Sequence, residues 1–131
     1  MSASPEVQVV PVEADLTPDM EDALEAFGVH LASELGRSPH TVRAYTGDVR
    51  RLLAHARADG ATSLADLDLA DLRSWLAREG VEGHARTTLA RRAASARVFT
   101  GWAHRRGLLA TDPGDRLATP AAHRVLPGVL K

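Results

Sequence analysis

Apolar residues recur every three or four positions in four separate stretches, and each stretch is bounded by helix start and stop residues. Met20, Leu24, Phe27, Leu31 and Leu35 form the first stripe. Thr17-Pro18 ahead of it supplies an N-cap and a proline at the first helical position, Asp19, Glu21 and Asp22 suit the positive end of the helix, and Gly36 closes it. Ser38-Pro39 repeats the start signal for a second helix to about Ala58, with Val42, Tyr45, Val49, Leu52, Leu53 and Ala56 on its buried side. Asp68, with Asp71 three residues on, opens a short third helix through Leu69, Leu72, Trp75 and Leu76 to Gly80. His84–Gly107 reads as one long fourth helix, with Ala85, Leu89, Ala93, Ala96 and Ala103 in a narrow apolar stripe and Phe99 and Trp102 as flanking anchors.

The connections are less regular. Residues 1–16 hold two prolines and no helical period, which predicts a flexible tail. Residues 61–68 predict a connection with one short turn, and Asp112-Pro113-Gly114 a tight turn. Leu108 and Leu109 are expected to tuck back onto the core. The helical domain is thus 17–114, and 115–131, with two prolines and little period, reads as an extended linker. No stretch has the alternation of a strand, so the fold class is all-α, a single bundle of four to five helices.

Charge changes this picture more than composition does. The whole chain of 131 residues has a formal net charge of −1, but residues 1–36 hold eight of the 17 acids and no Lys or Arg. The remaining 95 residues therefore carry a net +7. Six arginines (Arg86, Arg91, Arg92, Arg97, Arg105 and Arg106) lie in the fourth helix with no acid among them. Arg86, Arg97 and His104 share its outer arc with Ala90, Ala94 and Gly101. Arg43, Gly47, Arg50, Ala54 and Arg57 repeat the design on the second helix, so both faces combine cationic side chains with a floor of small residues. Surface arginines ordinarily do no more than solvate a helix, and Arg57, Arg78 and Arg106 are read that way. Two helices of one sign point further, to a large polyanion such as nucleic acid.

Other chemistries find little support. There is no cysteine, so neither a disulfide framework nor a thiolate metal site is available. The six histidines never take metal-ligand spacing, no glycine-rich phosphate loop is present, and no cofactor is expected. Tyr45, the only tyrosine, lies on an apolar stripe and is expected in the core rather than as a nucleophile. No apolar run approaches the ~18 residues that mark a transmembrane span, and no signal-peptide pattern opens the chain, so a cytoplasmic protein is expected.

Three passages in order carry a family resemblance. Ser38-Pro39-His40-Thr41, Ala44-Tyr45 and Asp48-Val49 are similar to the S-x-x-T-x-x-x-Y-x-x-D-[LV] helix of the tyrosine recombinases. Arg91-Arg92, Ser95-Ala96-Arg97 and Phe99 resemble their R-R-x-x-[AS]-[AL]-R-x-F helix. Asp112-Pro113, Leu117, Pro120 and Leu126-Pro127 resemble the passage that links the two domains of these enzymes. Over about residues 20–131 the chain is therefore identified as resembling the N-terminal core-binding domain of the XerC/XerD group, closer to the XerC type of high-GC actinobacteria.

The resemblance implies a SAM-like orthogonal helical bundle forming half of a C-shaped clamp on duplex DNA, with the second and fourth helices toward the major groove. It implies DNA contact by Ser38 and Thr41 at phosphate, by Arg43 and Arg50 on the second helix, and by Arg91, Arg92 and Arg97 on the fourth. His40 stands where the family commonly has Asn, and Arg86 joins the set as part of the outer arc. The first helix would meet neighbouring recombinase protomers, a XerD-like partner within a tetramer on DNA. The catalytic residues of the family belong to a C-terminal domain, so a chain of this extent is expected to bind DNA rather than cut it. The competing reading is a helical protein-interaction domain whose basic face meets an acidic partner, with residues 1–36 as a candidate cover. A helix-turn-helix regulator fits less well, because no short turn joins two helices at the usual spacing.

Overall fold

The structure is a computed structural model that describes residues 16–118. Four helices form it: α1 (Pro18–Val29), α2 (Pro39–Ala58), α3 (Leu69–Val81) and α4 (Arg86–Arg105). Short 3₁₀ turns at Leu64–Asp66 and Pro113–Arg116 complete it, and there is no strand among the described residues. Three of the four helix starts expected from sequence are made by the expected side chains. Thr17 Oγ1 accepts from Met20 N, Ser38 Oγ from Thr41 N, and Asp68 and Asp71 close a reciprocal capping box. Ala85 caps α4 without a side-chain bond.

α2 and α4 pack against each other, and each also packs on both remaining helices. Phe27 of α1 meets Phe99 of α4 edge-on at 5.1 Å and Trp102 at 5.4 Å, and around this trio Leu31, Val49, Leu52, Leu53 and Leu72 are fully buried. Phe99 and Trp102, expected as flanking anchors, are central to the core. Tyr45 is half-buried and packs against it.

Four expectations are corrected. Leu35 is 42 % exposed because α1 widens into a π-helical turn at His30–Glu34, where Leu35 N bonds back five residues to His30 O. The added width turns Leu35 away from the stripe that Leu31 ends. Leu109 tucks in as expected, but Leu108 stays exposed. Gly101, expected on the outer arc of α4, is buried, because the chain after α4 folds back over that face. There Thr100 Oγ1 donates to Asp112 Oδ1 at 2.8 Å and accepts from Gly114 N at 3.1 Å. Leu117, assigned to the linker, and Leu16, assigned to the tail, both pack on the core. Of these two assignments, 1–16 and 115–131, residues 1–15 and 119–131 lie outside the described residues.

Candidate nucleic-acid interface

The residues singled out from sequence fall into three groups. Arg43 and Arg86 are exposed and make no ion pair among the described residues, and His40 is exposed in the first turn of α2. Ser38 Oγ, besides capping α2, donates to Thr41 Oγ1 at 3.1 Å, so the two hydroxyls stand together at the helix N-terminus. That end of α2 gathers unsatisfied backbone N–H groups and the positive pole of the helix, both suited to an anion.

Arg50 is exposed but engaged. Its Nη1 and Nη2 donate to the two carboxylate oxygens of Glu21 on α1, at 3.1 and 2.9 Å. The bond raises the Arg50 pKa and lowers that of Glu21. An open groove between α1 and α2 surrounds this pair, lined by Asp22 and Glu25 on one wall and Arg43 and Gly47 on the other. The cationic face of α2 thus meets its first acids within the chain.

Arg91, Arg92 and Arg97 differ sharply from one another. Arg91 is 43 % exposed and forks onto Asp48 of α2, with Nε to Oδ2 at 2.9 Å and Nη2 to Oδ1 at 2.5 Å. Hydrogen bonding to Asp48 raises its pKa. Arg92 is only 12 % exposed and sits between two buried carboxylates, its Nη1 against Glu79 of α3 and its Nε 3.5 Å from Asp48. The resemblance implies a place for Arg92 on the DNA-facing side of α4, whereas its side chain is enclosed by these two carboxylates. Its position on α4 points to α3, and Glu79 meets it there. Burial, and then the charge of Arg51, lower the Arg92 pKa. Arg97 is half-buried where Gly114 crosses α4.

Asp48 and Glu79 organise this region. Asp48, 2 % exposed, also accepts from Ser95 Oγ at 2.7 Å, and Glu79, 4 % exposed, accepts from Arg51 Nη2 at 2.8 Å. Three helices are tied by these two carboxylates. Asp48 was visible in the sequence as a carboxylate on the α2 stripe, three residues after Tyr45 and four before Leu52. Nothing local marked Glu79 and Arg51 as partners, which lie 28 residues apart in the chain, and the motif that holds Ser95 did not show its bond to Asp48, 47 residues away. Glu79, Glu82 and His84 also bring ligand-type atoms within 4.8 Å of one another, but Glu79 is already neutralised by two arginines.

The arginines read as plain solvation have partners. Arg57 Nη1 donates to Ala61 O at 2.9 Å and secures the turn after α2. Arg106 lies over the Trp102 ring at 5.4 Å, within cation–π range. Arg78 Nη1 donates to Nδ1 of the buried His55 at 3.1 Å, which leaves Nε2 to carry the proton and donate to Ser74 Oγ at 2.7 Å. Burial lowers the His55 pKa, and nearby Asp59 opposes that in part.

The described residues thus form an all-α bundle whose α2–α4 seam is basic and braced by two buried carboxylates. The profile of the family described as phage integrase, N-terminal SAM-like domain, matches residues 24–107, and the chain belongs to that family. It is 53 % identical over 114 residues to the tyrosine recombinase XerC of Mycobacterium sp. strain KMS, covering 86 % of this chain and 38 % of the relative. It is 54 % identical over 112 residues to the tyrosine recombinase XerC of Mycobacterium tuberculosis strain CDC 1551, covering 86 % and 37 %. The chain thus spans little over a third of the length of these relatives. No solved structure matches it significantly. No helix among the described residues is long and apolar enough to cross a membrane.

Proposed function

We propose that this chain is the core-binding domain of a XerC-type site-specific tyrosine recombinase and that it grips duplex DNA through α2 and α4. The observation that carries the reading is the α2–α4 seam, where the exposed guanidinium of Arg91 is held by the buried Asp48 with its Nη1 left without a hydrogen bond among the described residues. A guanidinium fixed on one edge and open on another is preorganised for phosphate or for the O6/N7 edge of guanine. Arg43, Arg86 and Arg97, with Ser38, His40 and Thr41 at the α2 N-terminus, extend the contact. Arg92 supports it from beneath, and Arg50 joins on release from Glu21. The complete enzyme would cut and rejoin DNA at a chromosome-dimer-resolution site through a 3′-phosphotyrosyl link made by a separate domain. α1 would face the neighbouring XerD-like protomer of a tetramer, in the cytoplasm.

The test is fluorescence anisotropy of the chain on a recombination half-site duplex and a scrambled duplex, each over a salt series. Salt-sensitive binding to both supports the DNA role, and tighter binding to the half-site adds sequence reading by this domain. Absence of binding at low salt refutes the reading. The Glu21–Arg50 fork favours one second reading, a basic face built for an acidic protein partner, since a carboxylate-bearing helix already satisfies part of it.

A further inference from the structure

The ion cluster under the α2–α4 seam does not balance. Three guanidiniums (Arg51, Arg91 and Arg92) share two carboxylates (Asp48 and Glu79), and Ser95 adds only a neutral donor. His84 Nε2, 3.8 Å from Glu79, adds either no charge or another positive one, and Glu82 beside it already pairs with Arg78. The cluster therefore carries at least one surplus positive charge on a partly buried base. The lowered pKa of Arg92, caused by its burial and by the charge of Arg51, agrees with a surplus of cations. Such a surplus is stabilised when an anion completes it.

The open side of the cluster decides where that anion sits. Arg92 is enclosed, whereas Arg51 and Arg91 are 46 % and 43 % exposed. Each gives part of its fork to a buried carboxylate and keeps other N–H groups without a hydrogen bond among the described residues. Arg92 bridges Asp48 and Glu79, so the carboxylates that hold the two exposed guanidiniums, Arg51 from α2 and Arg91 from α4, belong to one ion-paired cluster.

We propose that Arg51 is a DNA-contacting residue and that Arg51 and Arg91 together hold one backbone phosphate of duplex DNA across the α2–α4 seam. Glu79 and Asp48 set the two guanidiniums for it from below. Phosphate contacts of this kind fix the register of a protein on DNA without reading sequence, so the site is expected to act on any duplex. The proposal rests on the DNA reading above and goes beyond it by adding a residue and the group it binds.

The experiment is anisotropy of the whole chain on a scrambled duplex over a salt series, for wild type, Arg51→Ala, Arg51→Lys and Arg73→Ala, with melting curves for each. Arg73 is an exposed α3 arginine with no ion pair among the described residues and serves as the control. The expected result is that Arg51→Ala weakens binding and flattens log K against log salt by about 0.9, the loss of one phosphate contact. Arg51→Lys keeps the wild-type slope, and Arg73→Ala changes nothing. A wild-type slope in Arg51→Ala overturns the proposal, and a lowered melting temperature alongside it assigns Arg51 to bracing Glu79 only. If wild type binds and Arg43→Ala or Arg86→Ala flattens the slope while Arg51→Ala does not, this proposal alone falls. If wild type binds no duplex at low salt, the DNA reading falls with it.

Discussion

Glu21 and Arg50 stand on different helices and close a two-point fork, with both carboxylate oxygens accepting from both terminal nitrogens of the guanidinium. A DNA phosphate would ask for the same nitrogens in the same geometry. Glu21 therefore competes with DNA for Arg50. Glu21→Gln is expected to tighten duplex binding roughly two- to five-fold at low salt, the equivalent of the ~0.5–1 kcal/mol at the upper end for exposed ion pairs. Both side chains are nearly half exposed, so the melting temperature should hardly move. Anisotropy beside a melting curve checks this, and an unchanged or weaker affinity means that Arg50 does not meet DNA.

Asp48 is the residue on which the α2–α4 seam depends. Asp48→Ala strands two guanidiniums and the Ser95 hydroxyl, and a loss of about 3–5 kcal/mol is expected, as for removing one partner of a buried pair. Urea unfolding measures it. A loss under about 1 kcal/mol would mean that water replaces the carboxylate at no great cost. Arg91→Ala should weaken DNA binding and also destabilise, by about 1–2 kcal/mol, because Asp48 keeps Ser95 and Arg92. The stripe pattern alone implies a change in binding without a change in folding. The buried partner of Arg91 removes that separation.

His55 is expected to make the stability of the fold depend on pH. Its folded pKa lies below its ordinary value of 6.5, so the unfolded chain binds the proton more readily. The stabilising contribution is complete above pH 6.5 and is lost as pH falls below 6.5 toward the folded pKa. Protonation also removes the lone pair on Nδ1 that accepts from Arg78. Denaturant midpoints from pH 8 down to pH 5, compared with those of His55→Gln, should show a fall in the wild type that the variant lacks. Parallel profiles would assign the acid sensitivity to other groups.

Two glycines should respond oppositely to alanine. A Cβ on Gly114 would collide with Thr100 Oγ1 and stand 3.0 Å from the Arg97 Cα, both on α4. Gly114→Ala is expected to destabilise by about 1–3 kcal/mol, as overpacking does. Gly47 lies within α2 with nothing within 4 Å of the same position. Gly47→Ala should stabilise by about 0.5–1 kcal/mol. Thermal melts decide both. If the α2 face lies close against DNA, Gly47→Ala also weakens binding while raising the melting temperature.

What the sequence by itself determined is the helices and their ends. The Thr17, Ser38 and Asp68 caps act within three residues of themselves, and apolar spacing reports the buried side of a helix directly. The all-α class and the concentration of arginine on α2 and α4 follow from the same local patterns. The sequence could not say what each arginine does, because that depends on which acid another helix brings to it. Arg43 and Arg92 look alike along the chain, yet one has no ion pair among the described residues and the other lies enclosed between Asp48 and Glu79. Only the tertiary structure decided that Arg50 is held by α1, that Arg51 and Arg91 are braced from below, and that Gly101 is covered by the returning chain. The physical reason is range. Capping and periodicity are fixed by neighbours a turn away, whereas ion pairing is fixed by the packing of whole helices.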